Sequence, residues 1–209
     1  MTKFYNEIAG RNLARLEALS DGVFAVGMTL LVLDLRAPAA SAIHSEHALI
    51  AALAALAPRL LTYLMSFLTL GIFWVGQQSG LDMKARSNRD FAWLHMAFLV
   101  AVTLLPFSTA LLAEFFTYRA ALLVYWANIA ALGWLLFLSW KYAQRAGLVK
   151  PDVPIEVQNA IDRRIIIGQS LYALGAALCV INTTWSVFFI VGVQLQYAIA
   201  PKFKPFSWL

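Results

Sequence analysis

The sequence predicts an all-α, polytopic membrane protein: one domain, residues 1–209, with six transmembrane helices. Three observations predict it. Hydrophobic residues make up 61% of the chain and charged residues only 13%, where soluble domains carry about 25% charged residues. The charged residues cluster, which leaves apolar windows close to the ~20 residues a helix needs to cross a bilayer. The lysines and arginines also alternate between the two sides that six crossings define.

The elements follow in order. The first span covers 20–35, with a polar helical extension on its N-terminal side. Its end, LRAPAAS, has the small residues of a leader-cleavage site. Asp34 and Arg36 occupy positions that should be small and neutral there, and the preceding segment is long and carries Glu7, Glu17 and Asp21, so the run is read as a retained helix. EHALIAALAALAP (46–58) is too short to span and stops at Pro58; it reads as a surface or re-entrant helix. The remaining spans cover 59–77, 91–112, 120–140, 165–181 and 185–200. The last two are joined by the minimal turn Asn182-Thr183-Thr184, a sequon whose place against the bilayer makes it a poor glycosylation acceptor. Residues 141–164 read as an ordinary connection with two prolines and mixed charge.

With six spans both termini share one side. Lys3, Arg11, Arg15, Lys84, Arg86, Arg89, Lys141, Arg145, Lys150, Arg163, Arg164, Lys202 and Lys204 lie there, leaving Arg36, Arg59 and Arg119 of the sixteen basic residues on the other. The positive-inside rule places both termini in the cytoplasm, on the inner side of the cell membrane. These basic residues flank apolar spans and form no single patch, so the net charge of +5 does not point to nucleic acid. Cys179, the one cysteine, lies in an apolar run and reads as a small buried hydrophobe.

The first span, RLEALSDGVFAVGMTLLVLDLR (15–36), has two unlike faces. At about 100° per residue with Val26 as zero, Leu30 falls near 40°, Leu33 near −20° and Thr29 near −60°. Ser20 falls near 120° and Asp21 near −140°, on the side of Phe24, Met28 and Leu31. An ionisable group at membrane depth faces protein, because exposure to lipid costs several kcal/mol. The Ser20 and Asp21 side should therefore pack into its own subunit. That leaves the aliphatic stripe to face lipid, another subunit or a pore, and periodicity does not choose among them.

The same stretch resembles the first helix of the transmembrane-protein-175 family, the endolysosomal potassium channel and its bacterial relatives. The family signature Arg-x-x-x-Phe-Ser-Asp reads here Arg15-x-x-x-Leu19-Ser20-Asp21, and the resemblance continues through YLMSFLTLGIFW (63–74) and LLPFSTALLAEF (104–115). It implies a potassium-permeable channel without a carbonyl filter, needing no cofactor beyond the permeant ion. Four chains form a homotetramer whose first helices line the pore. The family's pore positions map onto Val26, Leu30 and Leu33, with Thr29 one step aside as an ion-coordinating hydroxyl. Such rings of aliphatic side chains close a pore by narrowing and dewetting it.

The chain departs from the family pattern at several places. Leu19 stands for the signature phenylalanine, Val26 is smaller than the usual innermost residue, and Gly27 suggests local helix flexibility. Histidines common after the second-span tryptophan are absent: Trp74 is followed by Val75-Gly76-Gln77-Gln78. His95 stands where the third span usually has asparagine. The expectation is a rearranged polar brace of Arg15, Ser20, Asp21, Trp74, Gln77, Gln78 and His95.

Other classes fit less well. HSEH (44–47) is not a zinc-binding HExxH, no phosphate loop or serine elbow is present, and Asp21, Asp34 and Glu114 are scattered without a paired partner, which argues against an enzyme. A secondary transporter should show inverted repeats and broken helices; the chain has no repeat, and Pro106 is its one candidate kink. Proton conduction by the same architecture stays open.

Overall fold

The computed structural model describes residues 12–199; the basic residues Lys3, Arg11, Lys202 and Lys204 and the expected end of the last span at Ala200 lie outside them. The chain runs α1 (Leu13–Leu31), α2 (Glu46–Ala55), α3 (Ala57–Asp82), α4 (Arg89–Thr103), α5 (Leu105–Glu114), α6 (Arg119–Arg145), α7 (Ile155–Ala177) and α8 (Thr183–Ile199). Short 3-10 turns extend α1 through Val32–Asp34 and α7 through Leu178–Val180. Among the described residues, extended pairing amounts to one isolated bridge.

Local chemistry sets the helix ends. Asn12, Ser45 and Asn88 each accept a hydrogen bond from the backbone N–H three residues on, capping α1, α2 and α4. Pro58 sits in the first turn of α3, where its missing N–H costs nothing. The Asn182 side chain accepts from the N–H of Thr184 at 2.7 Å, so the sequon asparagine opens α8.

Among the described residues, five helical stretches are long and apolar enough to cross a membrane: Leu13–Asp34, Ala57–Asp82, Arg89–Glu114, Arg119–Arg145 and Ile155–Val180. The fifth begins ten residues before the expected 165, because the polar segment 155–164 is already helical. The expected third span is two helices meeting at Leu104, just before Pro106. A proline inside a helix removes a backbone hydrogen bond and crowds the preceding turn. The Asn128 amide donates to the Ala101 carbonyl in that turn at 3.0 Å, so α6 supplies a partner where α4 is interrupted. α8 has 17 residues, shorter than the other five.

The core lies among α1, α3, α4, α5, α6, α7 and α8 and carries a polar knot. The Tyr125 hydroxyl lies 3.1 Å from the Thr69 hydroxyl and 3.3 Å from that of Ser66. Thr109 donates to Ser66 and the Gln194 amide donates to Thr69, both at 2.7 Å. All are buried, so apolar surroundings strengthen each bond. The outer helices approach through glycine. A Cβ at Gly133 would sit 1.9 Å from Gln169 Nε2, so the absence of one lets the Gln169 side chain lie on the α6 backbone.

The connection after α6 is not an ordinary loop. Gly147 takes φ +63°, a conformation glycine adopts without penalty, and turns the chain back. Ala85 N–H then donates to Leu148 O and Lys150 N–H to Met83 O, each at 2.9 Å. The α3–α4 and α6–α7 loops are thus stitched together around the antiparallel bridge Lys84–Val149.

The candidate pore-lining face and its polar brace

α1 buries Leu16, Ser20, Phe24, Gly27 and Leu31, a stripe at helical spacing set against α3, α4 and α5. Leu19, Val26, Leu30 and Leu33 form the exposed side, with Val26 57% and Leu33 67% open. Thr29 is exposed beside them, and its hydroxyl donates to the Val26 carbonyl at 2.9 Å. With its hydrogen turned inward, the Thr29 oxygen keeps its lone pairs outward. Leu33 sits in the 3-10 turn, so the tighter winding swings it away from the angle that a continuous α-helix implies.

Two polar sets tie the first turns of α1 to the subunit. Ser20 is fully buried, and its hydroxyl donates to Leu16 O at 2.8 Å. Its oxygen lies 2.6 Å from His95 Nε2 and accepts from the Gln77 amide at 3.1 Å. With the serine hydrogen committed to Leu16, the imidazole is the donor in the Ser20–His95 bond. Asp21 stands at the exposed rim, one carboxylate oxygen accepting from Trp74 Nε1 at 2.8 Å and from the Gln78 amide at 2.5 Å. Ser20, Asp21, Trp74, Gln77, Gln78 and His95 are therefore brought together on α1, α3 and α4. Arg15 is not among them. Its backbone N–H is bonded to the Asn12 cap and its side chain is exposed, because position 15 lies about 140° around the helix from Ser20. Gly27 does not interrupt α1, and a Cβ there would meet only Leu70 at 3.6 Å and Val102 at 3.8 Å.

Sequence reasoning missed the far end. Arg59 forms ion pairs with Asp34 and with Glu114, joining carboxylates expected to be without a partner. The three residues sit at the ends of separate spans, where no spacing rule relates them. Among the described residues no cluster of histidine, cysteine, aspartate and glutamate could hold a metal ion.

Lys84 was also missed. It is 6% exposed, its ammonium donates to Gly80 O at 2.5 Å and it lies 5.1 Å from the ring centroids of both Phe91 and Trp140. Burial lowers its pKa from 10.5 to about 7; the two ring faces act in the opposite direction. A pair of aromatic residues at 91 and 140 was the available signal, readable only once the loops are known to meet. Lys84 opens onto a cavity of about 160 Å³ among α3, α4, α6, α7 and α8, whose walls include Gln77, His95, Trp140, Gln169 and Tyr172.

Fold and site together define a multi-pass helical membrane protein whose first helix shows an unpaired aliphatic stripe and is anchored by polar bonds behind it. The chain belongs to the TMEM175 family. The family model described as "Endosomal/lysosomal potassium channel TMEM175" matches residues 15–106. A potassium channel of Chamaesiphon minutus is 34% identical over 88% of this chain and 91% of its own length. A crystal structure described as a lysosomal potassium-selective channel TMEM175 homolog from the same organism superposes with a TM-score of 0.77 at 30% identity, covering 90% of this chain and 97% of that one. The human endosomal/lysosomal proton channel TMEM175 is 26% identical over 65% of this chain and 27% of its own length.

Proposed function

We propose that this protein is a potassium-preferring cation channel of a bacterial cell membrane, formed by four copies around a central axis, with no enzymatic activity and no cofactor. Each chain spans the membrane six times, with α8 as the sixth span and both termini cytoplasmic. The observation that carries the reading is the division of α1: Val26, Leu30 and Leu33 are exposed while Ser20 and Asp21 are held from behind. Four such stripes enclose a water-poor throat that conducts when it widens and dewets when it narrows. Potassium sheds water more readily than sodium, so a partly dehydrating throat prefers it. Four outward Thr29 oxygens replace part of the lost hydration. A filter of this kind discriminates less than rings of carbonyls.

The kinship with channels described for both potassium and protons supports a second reading, proton conduction through the same throat. Both are tested by reconstituting the protein in liposomes. Potassium and sodium flux, proton flux by an internal pH dye, and the oligomer's mass in the same detergent are measured together. A monomer, or flux that saturates and couples two solutes, overturns the channel.

A further inference from the structure

The α3–α4–α6–α7–α8 cavity has features that conduction through α1 leaves unused. Its lining includes two cations. Lys84 lies just past the end of α3, and Arg164, on the polar first turns of α7, packs against the Tyr197 ring. Among the described residues no carboxylate pairs with Lys84. A buried ammonium without a counter-charge is unfavourable, and an anion supplied from outside the chain would relieve that cost.

Deeper in, three wall residues are each 3% exposed and each holds a buried polar atom without a partner: Gln77 Oε1, Trp140 Nε1 and Tyr172 OH. Buried polar atoms are almost always bonded, so three on one cavity call for partners that the chain itself does not supply. Trp140 N–H and Tyr172 O–H are donors that suit a phosphate oxygen, and Gln77 Oε1 is an acceptor that suits a hydroxyl. The cavity has room for about ten waters, hence for a headgroup. Ile72, Phe73, Leu136 and Ile165 supply apolar wall. Lys84 and Arg164 lie at the end of the spans where the basic residues gather, the side on which anionic headgroups meet cationic side chains.

We propose that this cavity binds the phosphate of an anionic membrane lipid bearing a free hydroxyl in its headgroup, with Lys84 as counter-charge and Trp140, Tyr172 and Gln77 as hydrogen-bonding partners. Gln77 and His95 line the cavity and also hold Ser20, so the occupant rests against the anchor of α1.

The test uses the full-length protein in detergent. Binding of phosphatidylglycerol, phosphatidylcholine with the same acyl chains, and soluble glycerol phosphate is measured by native mass spectrometry and by the shift in melting temperature. Phosphatidylglycerol should bind at least ten-fold tighter than phosphatidylcholine, and glycerol phosphate should bind far more weakly. Lys84→Met should abolish the preference while still melting cooperatively, and Tyr172→Phe should reduce it. Lys150→Gln, which removes an exposed charge at the same end, should preserve it. Equal binding of the two lipids by the wild type overturns the proposal, as does a Lys84→Met protein that keeps the preference. Glycerol phosphate binding as tightly as the lipid overturns the lipid as occupant.

Discussion

The Ser20 hydroxyl oxygen and His95 Nε2 lie 2.6 Å apart across 75 residues of sequence, and both side chains are buried. Ser20 is held on two further sides, by the Leu16 carbonyl and the Gln77 amide. Removing His95 leaves Ser20 short of a donor and opens a void; removing Gln77 exposes the same oxygen from the other side. His95→Ala should cost about 2–4 kcal/mol through the cavity and the lost bond, and Gln77→Ala about 1–3 kcal/mol. Both should lower the protein's melting temperature and alter conduction. Unchanged melting and unchanged currents in both variants would remove the brace from the account.

At the exposed stripe, Leu30→Asn should hydrate the proposed throat. A polar ring resists dewetting, so potassium current should rise and the preference for potassium over sodium should fall. Reversal potentials under bi-ionic conditions measure this directly. Currents and ion preference that stay at wild-type values would place the conduction path elsewhere.

Gly27 is buried on α1 with ordinary contact distance to Leu70 and Val102. Gly27→Ala fits that space and should stabilise the helix by about 0.5–1 kcal/mol, raising the melting temperature. If the glycine serves flexibility in gating, the same variant slows opening; if only packing matters, currents are unchanged and stability alone moves. Single-channel recording and thermal denaturation separate the two.

Lys84 gives a pH dependence of defined sign. Its pKa is lowered from 10.5 to about 7 by burial, so between those values the unfolded chain binds the proton that the folded chain releases. The Lys84 contribution to stability therefore rises as pH rises from about 7 to about 10.5, and below 7 the full cost of burying the cation remains. The groups around it are the Phe91 and Trp140 rings, the Gly80 carbonyl, and His95, Arg164 and Tyr172 on the same cavity. In lipid-free detergent, Lys84→Met should melt higher than wild type by a margin largest near pH 6 and shrinking toward pH 10. A margin independent of pH would mean that Lys84 keeps its ordinary pKa.

Much of this architecture was readable from residue order, and particular side chains show why. The two faces of α1 separate by angle because a helix repeats every 3.6 residues, and burial of Leu16, Ser20, Phe24, Gly27 and Leu31 follows that repeat. Pro106 marked the interruption between α4 and α5. Helix ends drifted, since polar turns such as 155–164 continue a helix beyond the apolar window that signals a span. The meeting of Lys84 with Val149 left no mark in either segment, because backbone pairing between loops has no side-chain signature. Tyr125 joins Ser66, Thr69 and Gln194 through three helices, and hydroxyls scattered along apolar runs do not reveal which tyrosine collects them. Arg59 meets Asp34 and Glu114 for a reason of the same kind: contact between distant segments depends on the packing of whole helices.

The Arg59 cluster has a mechanical meaning. It ties down one end of α1 through Asp34, while the Ser20 and Asp21 bonds tie down the other, about 20 Å away. Between these clamps the helix touches its subunit only through smooth side chains, Phe24 and Leu31 among them. A rod fastened at both ends and lubricated in the middle cannot tilt as a unit without breaking ionic ties. Its easiest deformations are bowing and twisting about its own long axis, and those displace Val26 and Leu30 most.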